Sequence, residues 1–272
     1  MYYHDILMLR YYMQSNPIVS VIIPTLSRIK MLRRAINSVE AQSYTPKQLI
    51  VVGAPETPDI SDMLSSRDIS EVEYIDANAT SISEARNAGI RESKGNYIAF
   101  LDDDDEWIPE KVSRQVQRIQ ETGAEFCYAG VRNVGPDGRV RGVFEPPTQG
   151  TVSKTVLEEK ICGTPSSLMV KHQSVINIGM FDEGLMTFEE GDFVIRLAQQ
   201  YELCSISEPL TIRHSGSHEQ VSGNVRQRLE FTERFISKHR STARDHGKRT
   251  EQRWISNVRL SNAKSAAAQG EF

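Results

Sequence analysis

The chain has 272 residues, of which 39% are hydrophobic and 25% charged, and its formal net charge is −4. This composition is typical of a soluble globular protein, and no run of about 18 apolar residues predicts a membrane-spanning segment. Residues 1–17 carry Asp5 and Arg10 inside their apolar stretch. They do not resemble a secretory signal, so we expect a short leader on a cytoplasmic protein.

The first hundred residues alternate between short apolar runs and helical patterns. The predicted strands cover 18–23, 48–52, 73–76 and 97–101, and the predicted helices cover 29–39 and 83–93. Strands and helices in this order are the pattern of a parallel sheet with right-handed crossovers. We therefore expect an α/β fold, with Thr25 as a candidate cap of the first helix.

The pattern changes after Trp107. The predicted elements are a helix from Pro109, strands over 124–129, 139–144 and 166–170, a helix over 192–200, and helical structure from about 225. A turn signal at 135–138 predicts that the first two of these strands form an antiparallel excursion. The three cysteines, Cys127, Cys162 and Cys204, are widely spaced, which predicts free thiols.

Four consecutive aspartates, Asp102 to Asp105, directly follow a predicted buried strand. Ligands bind beyond the carboxyl ends of parallel strands, and alternating side chains direct Asp102 and Asp104 into one pocket. Such oxygen ligands suit Mg²⁺ or Mn²⁺ bridged to substrate phosphates. The alternative interpretation is a solvated acidic turn that caps the helix starting near Pro109 and is favoured by the dipole of that helix.

Three stretches of the chain resemble the inverting family 2 glycosyltransferases, which have the GT-A fold. They are VSVIIPTLSR at 19–28, ISEARNAGIRESKGNYIAFLDDDDEWIPEKV at 82–112 and GMFDEGLMTFEEGDFVIRLAQQYE at 179–202. The middle stretch is the most specific, because it joins an Ala-Arg-Asn-x-Gly helix, a buried strand and an Asp-x-Asp element at the family's spacing.

The resemblance implies a Rossmann-like, mostly parallel central sheet flanked by helices, with a small antiparallel excursion and a C-terminal helical appendage. It divides the chain into a leader (1–17), a GT-A domain (18–225) and a basic helical segment (226–272). Within the domain, residues of about 18–106 form the nucleotide-binding half and residues of about 107–225 the acceptor half. The implied donor is a nucleotide-diphospho-sugar, and the implied acceptor is a glycan or a lipid-linked molecule.

The same resemblance implies roles for residues of the nucleotide-binding half. Asp102 and Asp104 occupy the Asp-x-Asp positions that contact the ribose and hold Mn²⁺ or Mg²⁺ on the diphosphate, with Asp104 the direct ligand and Asp103 a further ribose contact. A metal there would stabilise charge on the departing diphosphate. The resemblance further assigns nucleotide-binding roles to Pro24, Thr25, Arg28 and Arg86. For both arginines the alternative is an exposed helical charge.

Glu189 and Glu190 align with the Glu-Asp motif that supplies the family's general base. The adjacent carboxylates can raise each other's pKa, and we favour Glu190 as the base, with Glu189 the second candidate. His214 and His218 fall where many family members carry a histidine near the metal, and Gly216 between them predicts a loop. The spacing of Asp192 and Arg196 predicts an ion pair along one helix face.

The second strand departs from the family pattern. Gly53 and Ala54 stand where an aspartate pair normally recognises the base. Glu56 or Asp59 is the remaining candidate for that contact, so the identity of the donor stays open. The lost pair also admits an alternative function, a catalytically weakened sugar-nucleotide-binding or scaffold protein with the same fold.

Residues 226–259 carry ten basic and four acidic side chains. One interpretation is a solvated helical face; the other is peripheral contact with an anionic membrane that brings the site to a lipid-linked acceptor at the cytoplasmic face. The rest of the chain is acidic, so we expect no nucleic-acid partner. No GxxxxGK[ST] occurs, which excludes a P-loop enzyme.

Overall fold

The computed structural model of the protein describes residues 16–25, 28–45, 47–53, 58–65, 72–146, 150–159, 164–214 and 225–268. The strands are β1 Val19–Pro24, β2 Lys47–Gly53, β3 Val72–Asp76, β4 Tyr97–Phe100, β5 Glu106–Trp107, β6 Phe126–Val134, β7 Val140–Phe144, β8 Leu168–Lys171 and β9 Leu203–His214. The helices are α1 Ile29–Glu40, α2 Pro58–Ser65, α3 Ile82–Glu92, α4 Lys111–Thr122, α5 Thr155–Glu158, α6 His172–Asn177, α7 Glu189–Gln200, α8 Val225–Asp245 and α9 Lys248–Ala268, with a 3₁₀ turn at Pro165–Ser167.

All these strands belong to one mixed sheet with the order β3-β2-β1-β4-β8-β6-β9-β5, and β7 pairs with β6. The first four strands in this order are parallel, as the alternation of strands and helices predicted. β8 runs antiparallel between β4 and β6, whereas β6 and β9 are parallel. The predicted antiparallel excursion is the β6–β7 hairpin.

The central strands are buried on both faces because their residues are apolar throughout. In β1, Val21 and Ile23 pack with α1 and α4 in one core, and Ile22 packs in the second core with residues of α3 and α7. Helix α3 lies close to the sheet at Gly89, where a Cβ atom would approach Cγ2 of Ile22 to 2.6 Å. This contact explains the glycine of the Ala-Arg-Asn-x-Gly helix.

The predicted elements are confirmed, with several differences. Helices α2, α5 and α6 and strand β9 were not predicted. Helix α7 begins at Glu189 rather than Asp192, so both candidate base residues lie in its first turn. Thr25 does not cap α1, whose N-cap residue is Arg28 without a side-chain cap bond. Cys127 and Cys204 are buried free thiols on neighbouring strands, while Cys162 lies outside the described residues.

Helices α8 and α9 form a C-terminal hairpin that packs on α7 and α5 through a separate hydrophobic cluster. Its buried members are Leu157, Leu185, Ile195, Phe235, Ile236, Ala243, Trp254 and Val258. Asp192 of α7 accepts hydrogen bonds from Arg196, as predicted, and from His239 of α8 at 2.8 Å. Burial raises the pKa of Asp192, but the hydrogen bonds from His239, Arg196 and Lys238 and the charge of Arg196 outweigh this effect and hold that pKa well below its usual range. A buried carboxylate therefore joins the hairpin to α7.

Among the described residues, none of the helices combines the length and hydropathy needed to cross a bilayer. The division of the chain into a leader, a GT-A domain and a basic segment stays a prediction.

Candidate active site

The four aspartates form the loop between β4 and β5, and partly exposed and buried side chains alternate along it. Asp103 and Asp105 are 1% and 2% exposed. The side chains of Asp102 and Asp104 are each 25% exposed. The loop therefore offers two carboxylates to a ligand and uses the other two within the protein.

The aspartates do not cap the following helix. Helix α4 begins at Lys111, its first turn holds no acidic residue, and its N-cap residue, Glu110, makes no side-chain cap bond. The interpretation of the cluster as an acidic helix start is thus wrong, and its four carboxylates need another explanation.

Asp103 is held by residues that follow the neighbouring strand β1. Thr25 donates a hydrogen bond from Oγ1 to Oδ2 of Asp103 at 2.7 Å, and the Arg28 guanidinium pairs with both oxygens of the same carboxylate. Nη1 of Arg28 also lies 3.6 Å from Oδ2 of Asp104. The aspartates outweigh the effect of burial and raise the pKa of Arg28. Arg28 is therefore an ion-paired residue of this loop and not an exposed helical charge.

Asp105 points to the opposite side, toward the 3₁₀ turn. Its Oδ2 accepts hydrogen bonds from Oγ of Ser166 at 2.6 Å and from Oγ1 of Thr164 at 3.3 Å. Oγ of Ser166 also accepts the amide of Asp102 at 3.0 Å. Burial, with the charge of Asp102, raises the pKa of Asp105 to about 8. The carboxyl is consequently mostly neutral at pH 7, which reduces repulsion within the loop.

Arg86 lies at the centre of the site and is 2% exposed. From helix α3 its Nη2 donates to Oδ1 of Asp102 at 2.8 Å, and its Nη1 lies 3.6 Å from Oε1 of Glu189. The carboxylates outweigh the effect of burial and raise the pKa of Arg86. One buried guanidinium thus joins the acidic loop to the start of α7.

Glu189 and Glu190 begin α7 after an unusual backbone position. Phe188 has φ of 64°, a left-handed conformation that costs a non-glycine residue about 1–2 kcal/mol. Its ring stacks on Phe235 of α8 with centroids 5.0 Å apart, which holds Phe188 in place. The first turn that follows presents two carboxylates beside Arg86.

Burial is the main cause that raises the pKa of both glutamates. For Glu190 the charge of Glu189 adds to burial, while Arg86 acts in the opposite direction, and the resulting pKa is about 8. For Glu189 burial also raises the pKa, opposed chiefly by Arg86. A carboxylate with such a pKa accepts a proton readily near neutral pH, which suits a general base.

The other predicted residues have varied positions. Pro24 ends β1 and pairs in register with Val52. His214 is the last residue of β9, where its Nε2 lies 2.8 Å from Oε1 of Glu106, so it is not in a loop as predicted. His218 and Glu56 lie outside the described residues, as does the side chain of Asp59.

The exposed carboxylates fit a divalent cation that is shared with a phosphate group. Within the described part of the chain, no three His, Cys, Asp or Glu side chains are arranged to hold a metal by themselves. Mg²⁺ normally binds one or two carboxylates, substrate phosphates and water, so two ligands on a partly exposed loop are sufficient. Asp102 and Asp104 meet this requirement.

Several residues of the site were not predicted from the sequence. Thr164 and Ser166 position the acidic loop, the guanidinium of Arg34 donates to the backbone carbonyl of Asp104, and Arg213 lowers the pKa of Glu190. None of these residues lies in a recognisable motif. Residues 164–167 approach the acidic loop because β8 pairs with β4. This strand pairing cannot be read from the sequence.

The sequence is similar to a family of known proteins and to individual members of that family. The model of the family described as "Glycosyl transferase family 2" matches residues 20–182. An uncharacterized glycosyltransferase of Rickettsia bellii is 27% identical over 196 residues, which are 71% of this chain and 28% of that protein. The Escherichia coli UDP-Glc:α-D-GlcNAc-diphosphoundecaprenol β-1,3-glucosyltransferase WfaP is 29% identical over 133 residues, 48% of this chain and 53% of that protein.

A solved structure has a similar fold. The Staphylococcus aureus TarS 1–349 complex with UDP-GlcNAc superimposes with a TM-score of 0.70 at 16% identity, covering 91% of this chain and 72% of that one. This likeness supports the GT-A fold expected from the sequence. The chain spans 28% and 53% of the two relatives, so their complete activities do not transfer directly.

The central position of Arg86 leads to a stability prediction. Replacing Arg86 by Met leaves Asp102 and Glu189 without their buried cation, and we expect the free energy of unfolding to fall by about 3–5 kcal/mol. The matched control is Arg91→Met on the same helix, since the Arg91–Glu183 pair is 54% and 42% exposed and contributes about 1 kcal/mol or less. Urea unfolding measures both changes. Equal losses for the two variants would contradict the central role of Arg86.

Proposed function

The chain belongs to glycosyl transferase family 2, and from this premise we propose that it transfers a sugar from a nucleotide-diphospho-sugar to a hydroxyl group of a glycan or lipid-linked acceptor. The observation that carries the proposal is the position of Arg86, between Asp102 of the acidic loop and Glu189 of α7. It unites, in one site, carboxylates suited to a metal–diphosphate and carboxylates suited to a base.

The donor side consists of the acidic loop and the loop after β1. We propose that Asp104 and Asp102 hold Mn²⁺ or Mg²⁺ with the diphosphate and that Arg28 faces the nucleotide. Asp103 is 1% exposed and bound by Thr25 and Arg28, so it does not fit the ribose contact expected of it and instead positions Arg28. The cation, when bound, supplies positive charge against the negative charge of the leaving diphosphate. Arg86 adds a fixed positive charge next to Asp102. The TarS neighbour was solved with UDP-GlcNAc, which supports a nucleotide-sugar donor.

The acceptor side begins at Glu190. Its carboxylate accepts the proton of the acceptor hydroxyl while the oxygen attacks the anomeric carbon of the donor sugar. The new carbon–oxygen bond forms on the side opposite the bond between the anomeric carbon and the diphosphate. That bond breaks, and the diphosphate leaves with its electron pair. The configuration at the anomeric carbon is thereby inverted. WfaP is named for a diphosphoundecaprenol-linked acceptor, which supports a lipid-linked substrate.

The metal assignment is tested by nucleotide binding. In isothermal titration calorimetry, Mn²⁺ should tighten the binding of UDP or GDP to the unmodified protein, and Asp104→Asn should abolish this effect because a carboxylate ligand is lost. Asp137→Asn is the matched control, since Asp137 lies in the β6–β7 turn and pairs with Arg141. If Mn²⁺ tightens binding to Asp104→Asn as much as to the control, the assignment fails.

The base assignment is tested with a paired set of variants. Glu190→Gln keeps the side-chain volume but accepts no proton, so turnover with a panel of UDP- and GDP-sugars should fall by about 10²–10⁴ while nucleotide binding persists. Glu189→Gln is the comparison, and a larger loss there would assign the base to Glu189. Nucleotide binding without any turnover in the unmodified protein would instead support the alternative of a sugar-nucleotide-binding protein.

The pH dependence of the catalytic rate follows from the titration of Glu190. A base works only when deprotonated, and the pKa of Glu190 is raised to about 8 by burial and by Glu189 and Asp102, against Arg86 and Arg213. Hydrolytic kcat/KM should therefore rise as pH increases through 7 and level off above about 8. Residual activity of Glu190→Gln should lack this rise.

We further propose that the outer face of the C-terminal hairpin contacts anionic lipid. Some of its bases are neutralised, since Arg240 and Arg244 pair with Glu251 and Arg259 pairs with Glu233. Exposed bases of α9 remain in addition, namely Lys248, Arg249 and Arg253. These exposed charges are the ones that would meet an anionic lipid surface.

Liposome co-sedimentation tests this contact. Replacing Lys248, Arg249 and Arg253 together by Gln should weaken binding to phosphatidylglycerol vesicles by about a hundredfold, because each base near such a surface contributes about 1 kcal/mol. The matched control removes charge at Arg139 and Arg141 of the β6–β7 hairpin. Equal sedimentation of all proteins, or equal binding to phosphatidylcholine vesicles, would contradict the proposal.

A further inference from the structure

A cleft of about 610 Å³ lies between the start of α7 and the C-terminal hairpin. The candidate base residues, Glu189 and Glu190, line it, and on the hairpin side it is lined by Phe235 of α8 and by α9. Leu260, which is 53% exposed, lines this side, so the cleft is open to solvent there. Neither the acidic loop nor Arg28 lines it, and it is therefore separate from the donor side.

The walls of the cleft are mainly apolar. The apolar lining residues are Val156, Leu157, Phe188, Val194, Ile195, Phe235, Trp254, Val258 and Leu260. The polar lining residues are the two base candidates and Glu158, Glu159, Asn257, Ser261 and Lys264. Of these, Asn257, Ser261 and Lys264 are exposed on α9. An apolar, solvent-open cleft of this size is characteristic of a ligand site.

Two of the three aromatic residues of the cleft, Phe235 and Trp254, do not offer ring faces to a sugar. Phe235 stacks on Phe188 with centroids 5.0 Å apart and contacts Trp254 at 5.6 Å. Phe235 and Trp254 are each only 3% exposed. Hydrogen-bond partners for sugar hydroxyls are confined to the polar lining residues, so hydroxyls placed against the apolar ones would lose their water without compensation. The cleft therefore favours an apolar chain over a carbohydrate chain.

The cleft is built largely from residues outside the part of the chain that matches the family model. That match ends at residue 182, whereas α7 and the hairpin follow it, and only α5 and Glu159 contribute from within it. The wall is thus a feature of this chain's C-terminal region, on the side where the proposed mechanism places the acceptor.

We propose that the cleft binds the apolar chain of an amphiphilic acceptor, whose reacting hydroxyl lies at Glu190. This inference rests on the proposed function, and it commits the acceptor to the lipid-linked class. The chain lies along the apolar wall where that wall keeps exposed surface, at Val156, Phe188 and Leu260, and the polar head lies at the first turn of α7. Burying the chain releases water from this wall, which supplies binding free energy in proportion to the apolar area covered.

The experiment uses alkyl glucosides of different chain length and the fluorescence of Trp254. Trp254 lines the cleft, whereas Trp107 is buried elsewhere with its Nε1 bonded to the carbonyl of Ser166. Octyl β-glucoside below its critical micelle concentration should shift the emission and bind about a hundredfold tighter than methyl β-glucoside, which corresponds to burial of a few methylene groups. Equal binding of the two glucosides, or tighter binding of maltotriose, would overturn the proposal.

Matched leucine variants locate the binding. Leu260→Glu should weaken octyl glucoside binding by about tenfold because it places a charge on the wall. Leu229→Glu is the control, since Leu229 is 54% exposed on α8 and does not line the cleft. Equal effects of the two variants would overturn the proposal, as would a dimer of the unmodified protein that Leu260→Glu dissociates. Both leucines are about half exposed, so neither substitution should prevent folding. The comparison of octyl and methyl glucoside uses the unmodified protein and does not depend on any variant.

The outcome is separable from that of the proposed function. Alkyl glucoside binding is measured without donor, and the binding of UDP or GDP with Mn²⁺ is measured by calorimetry on the same protein. Nucleotide binding without a chain-length effect overturns the cleft proposal alone. A chain-length effect located at Leu260, in a protein that binds no nucleotide, supports the apolar site and overturns the proposed function.

Discussion

The site depends on one buried guanidinium, that of Arg86. It is 2% exposed and contacts a carboxylate of the acidic loop and one of α7. These segments are distant in the sequence, and without a cation between them their like charges would repel. The close packing of α3 on the sheet at Gly89 fixes the helix that delivers Arg86. The charge therefore holds together the two halves of the site.

Six carboxyl groups occupy this small region, and different means limit their repulsion. Asp103 pairs with Arg28, and Asp102 and Glu189 share Arg86. Asp105 and Glu190 have pKa values raised to about 8, so each is mostly neutral at pH 7 in the unliganded protein. The two partly exposed carboxylates, Asp102 and Asp104, lie beside Arg86 and Arg28. A cation bound there with a diphosphate would add positive charge to this part of the loop.

The sequence predicted the elements whose pattern depends on local residues. The apolar runs of β1, β2 and β4 mark buried parallel strands, and the alternation of side chains along the loop predicted the separation of Asp102 and Asp104 from Asp103 and Asp105. Strand β9 was missed because Ser205, Ser207 and Pro209 interrupt its apolar pattern. Ser166 and Thr164 were missed since their importance arises from the pairing of β8 with β4, a contact between residues distant in the sequence.

The contacts of the C-terminal hairpin with α7 were also not predictable from the sequence. Its charge pattern suggested a surface element, yet His239 and Lys238 bind the buried Asp192, and Phe235 stacks on Phe188. Phe188 has a left-handed backbone and directly precedes the candidate base residues. Because the hairpin holds this strained residue, its packing determines where the first turn of α7 lies. The hairpin, whose helix α9 lines the cleft, therefore also positions Glu189 and Glu190 through its contact with Phe188.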